Sequence, residues 1–328
     1  MVKISRTIKQ STILKSKALT AGSTIGIISP ASRPLDEEKY RNGILYLRDC
    51  GYQVVESNQV LDSYGYLAGS DQVRADNFNA MFRDPQIDAV FCSRGGYGTP
   101  RIIDAIDYDV IRKNPKLFVG YSDITALNLA IWKKASLVTF SGPMVAVEMG
   151  KGIQPFTEAW FWKLLTSPVQ NVLLSNPPDS PVRIIRPGQA SGRLLGGCLS
   201  LINAVLGSAY CPNFQESILF IEDIEEEPYR IDRYLAQLKL AGIFKQISGL
   251  VIGQFVDCVP SEPEKPHLTI DQIIEDFVRD LNIPIIANFA YGHVPIKHTM
   301  PIGIEVELNT GKGGLIMKEN AVSFQDQA

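Results

Sequence analysis

The stretch FVGYSDITALNLAIWKK, residues 118–134, reads as an apolar strand ending at Gly120 and an amphipathic helix starting at Asp123, with Ser122 in the sharp turn between them. A buried strand that runs straight into a helix is the repeating unit of a parallel sheet with crossover helices. The same unit recurs to either side. TIGIIS (24–29), QVVES (53–57), DAVFCS (88–93), KLFVG (116–120) and SLVTFSG (136–142) are short apolar runs separated by helix-like stretches. Continuous rather than alternating hydrophobicity marks strands covered on both faces, so residues 20–165 are expected to form one doubly wound α/β domain.

Residues 166–191 are rich in proline and turn formers and read as a linker. Beyond them ILFIE (218–222), GLVIGQF (249–255), PIIANFAYG (284–292) and IGIEVELN (302–309) are strand-like, and YRIDRYLAQLKLAGI and TIDQIIEDFVRDL are helix-like. Residues 192–328 are therefore expected to form a second, smaller α/β domain with a mixed sheet. The basic, hydroxyl-rich residues 1–19 are expected to be a flexible leader.

Composition narrows the function. With 32 Lys+Arg against 35 Asp+Glu in 328 residues and no long basic run, nothing supplies the phosphate-neutralising stripe of a nucleic-acid binder. No apolar stretch is long enough to span a membrane, and the N-terminus lacks the apolar core of a signal peptide, so a cytoplasmic protein without a membrane partner is expected. Cys50, Cys92, Cys198, Cys211 and Cys258 show no CxxC pair and no Cys/His ligand spacing; reduced thiols and no metal or other cofactor are expected. Any imidazole chemistry must use His267, His293 or His298, the three histidines of the chain.

Four segments have residues of the right type for catalysis. Ser122 in its strand-to-helix turn resembles a nucleophile elbow, although Ile124 stands where GxSxG has its second glycine. Ser122 or Asp123 could equally cap the helix. SRGGYGTPR (93–101) also follows a strand, and its glycines let backbone N–H groups turn toward a ligand, yet the spacing is neither GxGxxG nor a P-loop. In ILFIEDIEEEPYRIDR (218–233) most acids suit a solvated face or a first helical turn, but Glu222 ends an apolar strand and can be held rigidly enough to orient an imidazole. In FAYGHVPIKHTMPIG (289–303) His293 follows a strand-terminal glycine, while His298 sits in a proline-flanked loop; His267, in a polar loop, reads as exposed.

Taken in order, ISPAS (28–32), SRGGYG (93–98), GYSDIT (120–125), SGP (141–143), GRLLGGCLS (192–200), LFIEDIEEEPYRIDR (219–233) and GHVPIKHTMPIG (292–303) resemble the LD-carboxypeptidase family of serine peptidases, which also contains the microcin C self-immunity peptidases. The resemblance runs from about residue 20 to 325. It implies a first domain of the class I glutamine amidotransferase-like or flavodoxin-like kind and a Ser-Glu-His triad. The family serine of GYSD falls on Ser122, the glutamate of the LFIED strand end on Glu222, and the histidine of the GH pair on His293; TMPIG replaces the family's TLPLG. Backbone amides of Gly96 and Asp123 would form the oxyanion hole.

The implied substrate is a murein tetrapeptide, from which terminal D-alanine is cleaved after an L-centred diamino acid during cytoplasmic peptidoglycan recycling. Arg94, Lys297 and His298 are candidate substrate contacts on charge and position. Dimerisation is common among related enzymes, so a homodimer is a possible partner state, and no sequence feature here demonstrates it. Two alternatives within this reading remain, an immunity-type peptidase acting on peptidyl or aminoacyl nucleotide analogues and a non-catalytic peptide-binding module. An α/β-hydrolase shares the Ser, acid, His order but not the layout.

Overall fold

The computed structural model describes residues 12–324. The first half alternates as read, through β1 (Thr24–Ile28), α1 (Glu37–Asp49), β2 (Gln53–Glu56), α2 (Asp71–Arg83), β3 (Ala89–Cys92), α3 (Tyr108–Lys113), β4 (Leu117–Val119), α4 (Thr125–Ala135), β5 (Thr139–Ser141) and α5 (Pro155–Thr166). Local chemistry fixes the helix starts: Asp36 and Ser70 accept from backbone N–H groups three residues on, at α1 and α2. Strands β1 to β5 pair in parallel in the order 2-1-3-4-5, the flavodoxin-like winding. Such a sheet binds ligands at the carboxyl edge where the strand order reverses, here between β1 and β3. Its faces are packed by Phe78, Phe82 and Phe118, three mutually contacting rings, and by the Phe91–Phe161 pair. Each such buried ring stabilises by about 1.5–3 kcal/mol.

The second half contains β6 (Val172–Ser175), β7 (Arg183–Arg186), β8 (Gln189–Cys198), α6 (Leu199–Val205), β9 (Ser217–Ile224), α7 (Pro228–Leu240), β10 (Gly249–Val256), α8 (Ile270–Val278), β11 (Ile285–Ala287), β12 (Met300–Ile302), β13 (Glu305–Asn309) and β14 (Gly314–Met317). Its sheet runs β6-β14-β13-β8-β9-β10-β11-β7. The central strands β8 to β11 are parallel and joined by helices; the outer ones are antiparallel, so the sheet is mixed.

Three features depart from the sequence reading. The proline-rich segment 166–191 is not a simple linker, because β6 and β7 lie within it and close the two edges of the second sheet. Strand β12, from the distal half, pairs antiparallel with β5 and completes the first sheet, so the distal half lends a strand to the first sheet. Of the leader, residues 1–11 lie outside the described residues, but residues 12–19 are docked. Leu14 bridges to Leu137, Lys17 bridges to Ser323, and Leu19 is buried. This segment ties the first domain to the distal end of the chain. No helix of the described residues is long and apolar enough to cross a membrane.

Candidate active site

Ser122 follows β4 in a 3-10 turn, Ser122–Ile124, that leads into α4. Its φ of 64° is in the left-handed region, which costs a residue with a side chain about 1–3 kcal/mol and persists only where the surroundings enforce it. The enforcement is visible. Asn128 Nδ2 donates to Gly120 O at 2.8 Å, and Thr99 N–H donates to the Asp123 carboxylate at 2.8 Å. Neither Ser122 nor Asp123 caps the helix through its side chain. Asp123 is buried, and burial raises its carboxyl above the usual range despite the hydrogen bonds from Thr99 and Gly98. Its backbone N–H opens the 3-10 turn, where helical geometry leaves it without an intrahelical acceptor.

The glycine turn after β3 lies against this serine. A Cβ at Gly95 would stand 3.0 Å from Ser122 Cβ and 3.2 Å from Oγ, so only glycine lets the two turns approach this closely. Gly96 is exposed beside it. At the same edge Ser29 and Ser93 share a 2.5 Å hydrogen bond across β1 and β3, the switch point of the sheet.

From the second sheet, Glu222 on β9 is fully buried, and its Oε2 is 2.7 Å from His293 Nδ1. Among the described residues its Oε1 has no hydrogen-bond partner, so the pair with His293 is what compensates this buried carboxylate. Gly292 makes the pair possible. Its φ is 130°, and a Cβ there would crowd Glu222 at 3.2–3.3 Å. The His293 side chain is 12% exposed, and its ring lies 4.9 Å from that of Tyr121, the residue before Ser122. The three side chains selected from the sequence thus converge on one edge, with the Glu222–His293 hydrogen bond formed. Among the described residues no hydrogen bond joins Ser122 Oγ to the imidazole, a gap that such sites commonly close only with substrate bound.

The candidate substrate contacts separate. Arg94 is half-buried, with Nη1 3.4 Å from Arg33 O, and remains at the site edge. Lys297 turns inward: it is 1% exposed, and Nζ lies 2.5 Å from Glu148 Oε1 and 3.6 Å from the Tyr121 ring centroid. His298 is also buried, stacked on Phe289 and edged by Phe156 and Trp160, with Nε2 2.9 Å from Ser175 O. Burial lowers it from 6.5 to about 4, so it is neutral packing rather than a reserve base. His267 is exposed, with Nδ1 2.9 Å from Lys265 O. Tyr121 and Glu148 were missed from the sequence; only Tyr121 had a signal, its place beside Ser122.

Known proteins are similar to this chain in sequence and fold. The sequence profile of the LD-carboxypeptidase N-terminal domain matches residues 25–142, and that of the C-terminal domain matches residues 191–308. The chain is 40% identical to the probable murein peptide carboxypeptidase of Bacillus subtilis over 91% of its own length and 92% of the relative's. It is 27% identical to the microcin C7 self-immunity protein MccF of Escherichia coli over 96% of this chain and 99% of that one. Among solved structures, MccF in complex with glutamyl sulfamoyl guanosine superposes with a TM-score of 0.86 at 25% identity, covering 94% of this chain and all (100%) of the other. The muramoyltetrapeptide carboxypeptidase of Oxalobacter formigenes gives a TM-score of 0.78 at 30% identity, covering 90% and 97%. With both domain profiles matched and the relatives aligned over nearly their whole length, the chain belongs to the LD-carboxypeptidase family of peptidases.

Proposed function

We propose that this protein is a serine LD-carboxypeptidase that removes terminal D-alanine from murein tetrapeptides in the cytoplasmic recycling of peptidoglycan. The observation that carries the reading is the 2.7 Å Glu222–His293 pair facing the strained Ser122 turn across the edge of the two sheets. Ser122 Oγ attacks the scissile carbonyl while His293 Nε2 accepts its proton. Glu222 holds Nδ1 protonated and stabilises the imidazolium. The N–H groups of Gly96 and Asp123 stabilise the oxyanion, about 3–4 kcal/mol per donor. His293 then returns the proton to the leaving amine of D-alanine, and water hydrolyses the acyl-serine. Arg94 is the remaining cation for the substrate carboxylate.

A second reading, turnover of aminoacyl nucleotide analogues, is favoured by the likeness to MccF. Mass spectrometry of products from tetrapeptides ending in D-alanine, with meso-diaminopimelate or lysine before the scissile bond, run beside an aminoacyl sulfamoyl adenylate, separates the two. Faster release of D-alanine supports the carboxypeptidase; preferential turnover of the adenylate overturns it.

A further inference from the structure

We propose that Glu148 is a positioning residue that sets the serine turn of the first domain against the histidine loop of the second; this rests on the assignment of Ser122 and His293 above. Glu148 lies in a π-helical turn, Val145–Met149, a geometry often found at functional sites. Its Oε1 accepts from the Tyr121 hydroxyl at 2.7 Å and from Lys297 Nζ at 2.5 Å. Its Oε2 accepts from Met144 N–H at 3.0 Å. Tyr121 immediately precedes Ser122, and Lys297 lies four residues beyond His293 in the same loop. One carboxylate oxygen is therefore the common anchor of both halves of the triad.

The other contacts favour positioning over simple cross-linking. The Tyr121 ring touches both groups of the histidine loop, with Lys297 Nζ 3.6 Å from its centroid and the His293 ring, tilted by 57°, centred 4.9 Å away, so one aromatic side chain packs against the cation and the imidazole together. Ala146 N–H donates to Ser93 O at 2.9 Å, which joins the π turn to the strand end that opens the Arg94–Gly96 turn. The Glu148 turn thus touches the serine turn, the glycine turn and the histidine loop. Burial alone would raise the Glu148 carboxyl, but Lys297, Met144 N–H and the Tyr121 hydroxyl together hold it below its usual value, so it stays an anion. Buried ion pairs contribute little net stability compared with apolar replacements. Their geometric specificity is what a two-domain active site needs.

The test reads nucleophile reactivity separately from peptide turnover. The full chain and its Tyr121→Phe and Glu148→Gln/Lys297→Met variants are labelled with a fluorophosphonate, in which Ser122 Oγ forms the bond to phosphorus as fluoride leaves. The double variant removes both charges together, and Tyr121→Phe removes only one hydroxyl from a preserved ring, so a folded variant is available even if the double one fails. Tyr46→Phe, which deletes a comparable Tyr–Glu hydrogen bond to Glu158 at 2.6 Å elsewhere in the molecule, is the control. The expected result is a labelling rate and kcat lower by about 10-fold to 100-fold in both variants, with KM unchanged and Tyr46→Phe like wild type. Folded variants that label within about twofold of wild type overturn the proposal. A wild-type protein that labels at Ser122 but releases no D-alanine sinks the substrate assignment and leaves this one standing; no labelling at Ser122 sinks both.

Discussion

Two stretches of one loop, His293 with its glycine and Lys297 with His298, place the same residue types in opposite roles. His293 is partly exposed and bonded to a buried carboxylate; His298, five residues on, is buried among Phe156, Trp160 and Phe289. Burial without a carboxylate keeps an imidazole neutral and inert, whereas a carboxylate on Nδ1 fixes the tautomer and the orientation of the ring. In the proposed mechanism, the catalytic character of a histidine is a property of its neighbours.

That contrast can be broken at several points. His293→Gln keeps a donor for Glu222 and removes the base; kcat for D-alanine release should fall about 10⁴-fold with the melting temperature nearly unchanged. Glu222→Gln should reduce kcat about 10³-fold to 10⁴-fold by favouring the wrong tautomer, again in a folded protein. His298→Ala should do the reverse. It leaves a cavity and an unpaired Ser175 carbonyl, costing about 2–4 kcal/mol in denaturant unfolding, while kcat per folded molecule stays within about threefold. Loss of turnover at 298 with survival at 293 would exchange the two roles.

A smaller effect is linked to pH. The folded His298 imidazole titrates at about 4 against 6.5 for the free group. The unfolded chain therefore binds the extra proton between those values, and stability rises with pH there. The His298 contribution is complete above pH 6.5 and is lost as pH falls toward 4. Asp223, whose burial beside Glu222 raises it to about 6, acts in the opposite sense, so wild type must be compared with His298→Gln to isolate the histidine. The loss of unfolding free energy between about pH 7.5 and about pH 4.5 should be smaller in the variant by about 2.5 kcal/mol. An equal loss in both proteins would remove the buried-neutral account of His298. His267→Ala should change neither activity nor stability.

What the sequence disclosed follows the same division. Ser122, Glu222 and His293 each stand at or near the end of an apolar run, beside a turn or a glycine, and periodicity finds such places. Strands β1 to β5 were legible because parallel strands buried on both faces are continuously apolar. Strand β8 was not, since QASGRLLGGC is half glycine and small polar residues, and β12 contains Pro301, tolerable because it lies at the sheet edge. Strands β6 and β7 were hidden among prolines. Glu148 and Lys297 are 149 residues apart, and no local pattern announces an ion pair made by tertiary folding. The inward turn of Lys297 was unreadable for the same reason, because charge alone suggested a surface role.

The central claim is that Ser122, driven by the Glu222–His293 pair, cleaves the bond to terminal D-alanine. Release of D-alanine from a murein tetrapeptide, measured for wild type and for Ser122→Ala under conditions where the variant still binds the peptide, tests it most directly. Turnover by wild type and a loss of about 10⁴-fold or more in the variant is the predicted result. Binding without hydrolysis by wild type, or turnover that survives in Ser122→Ala, would contradict it.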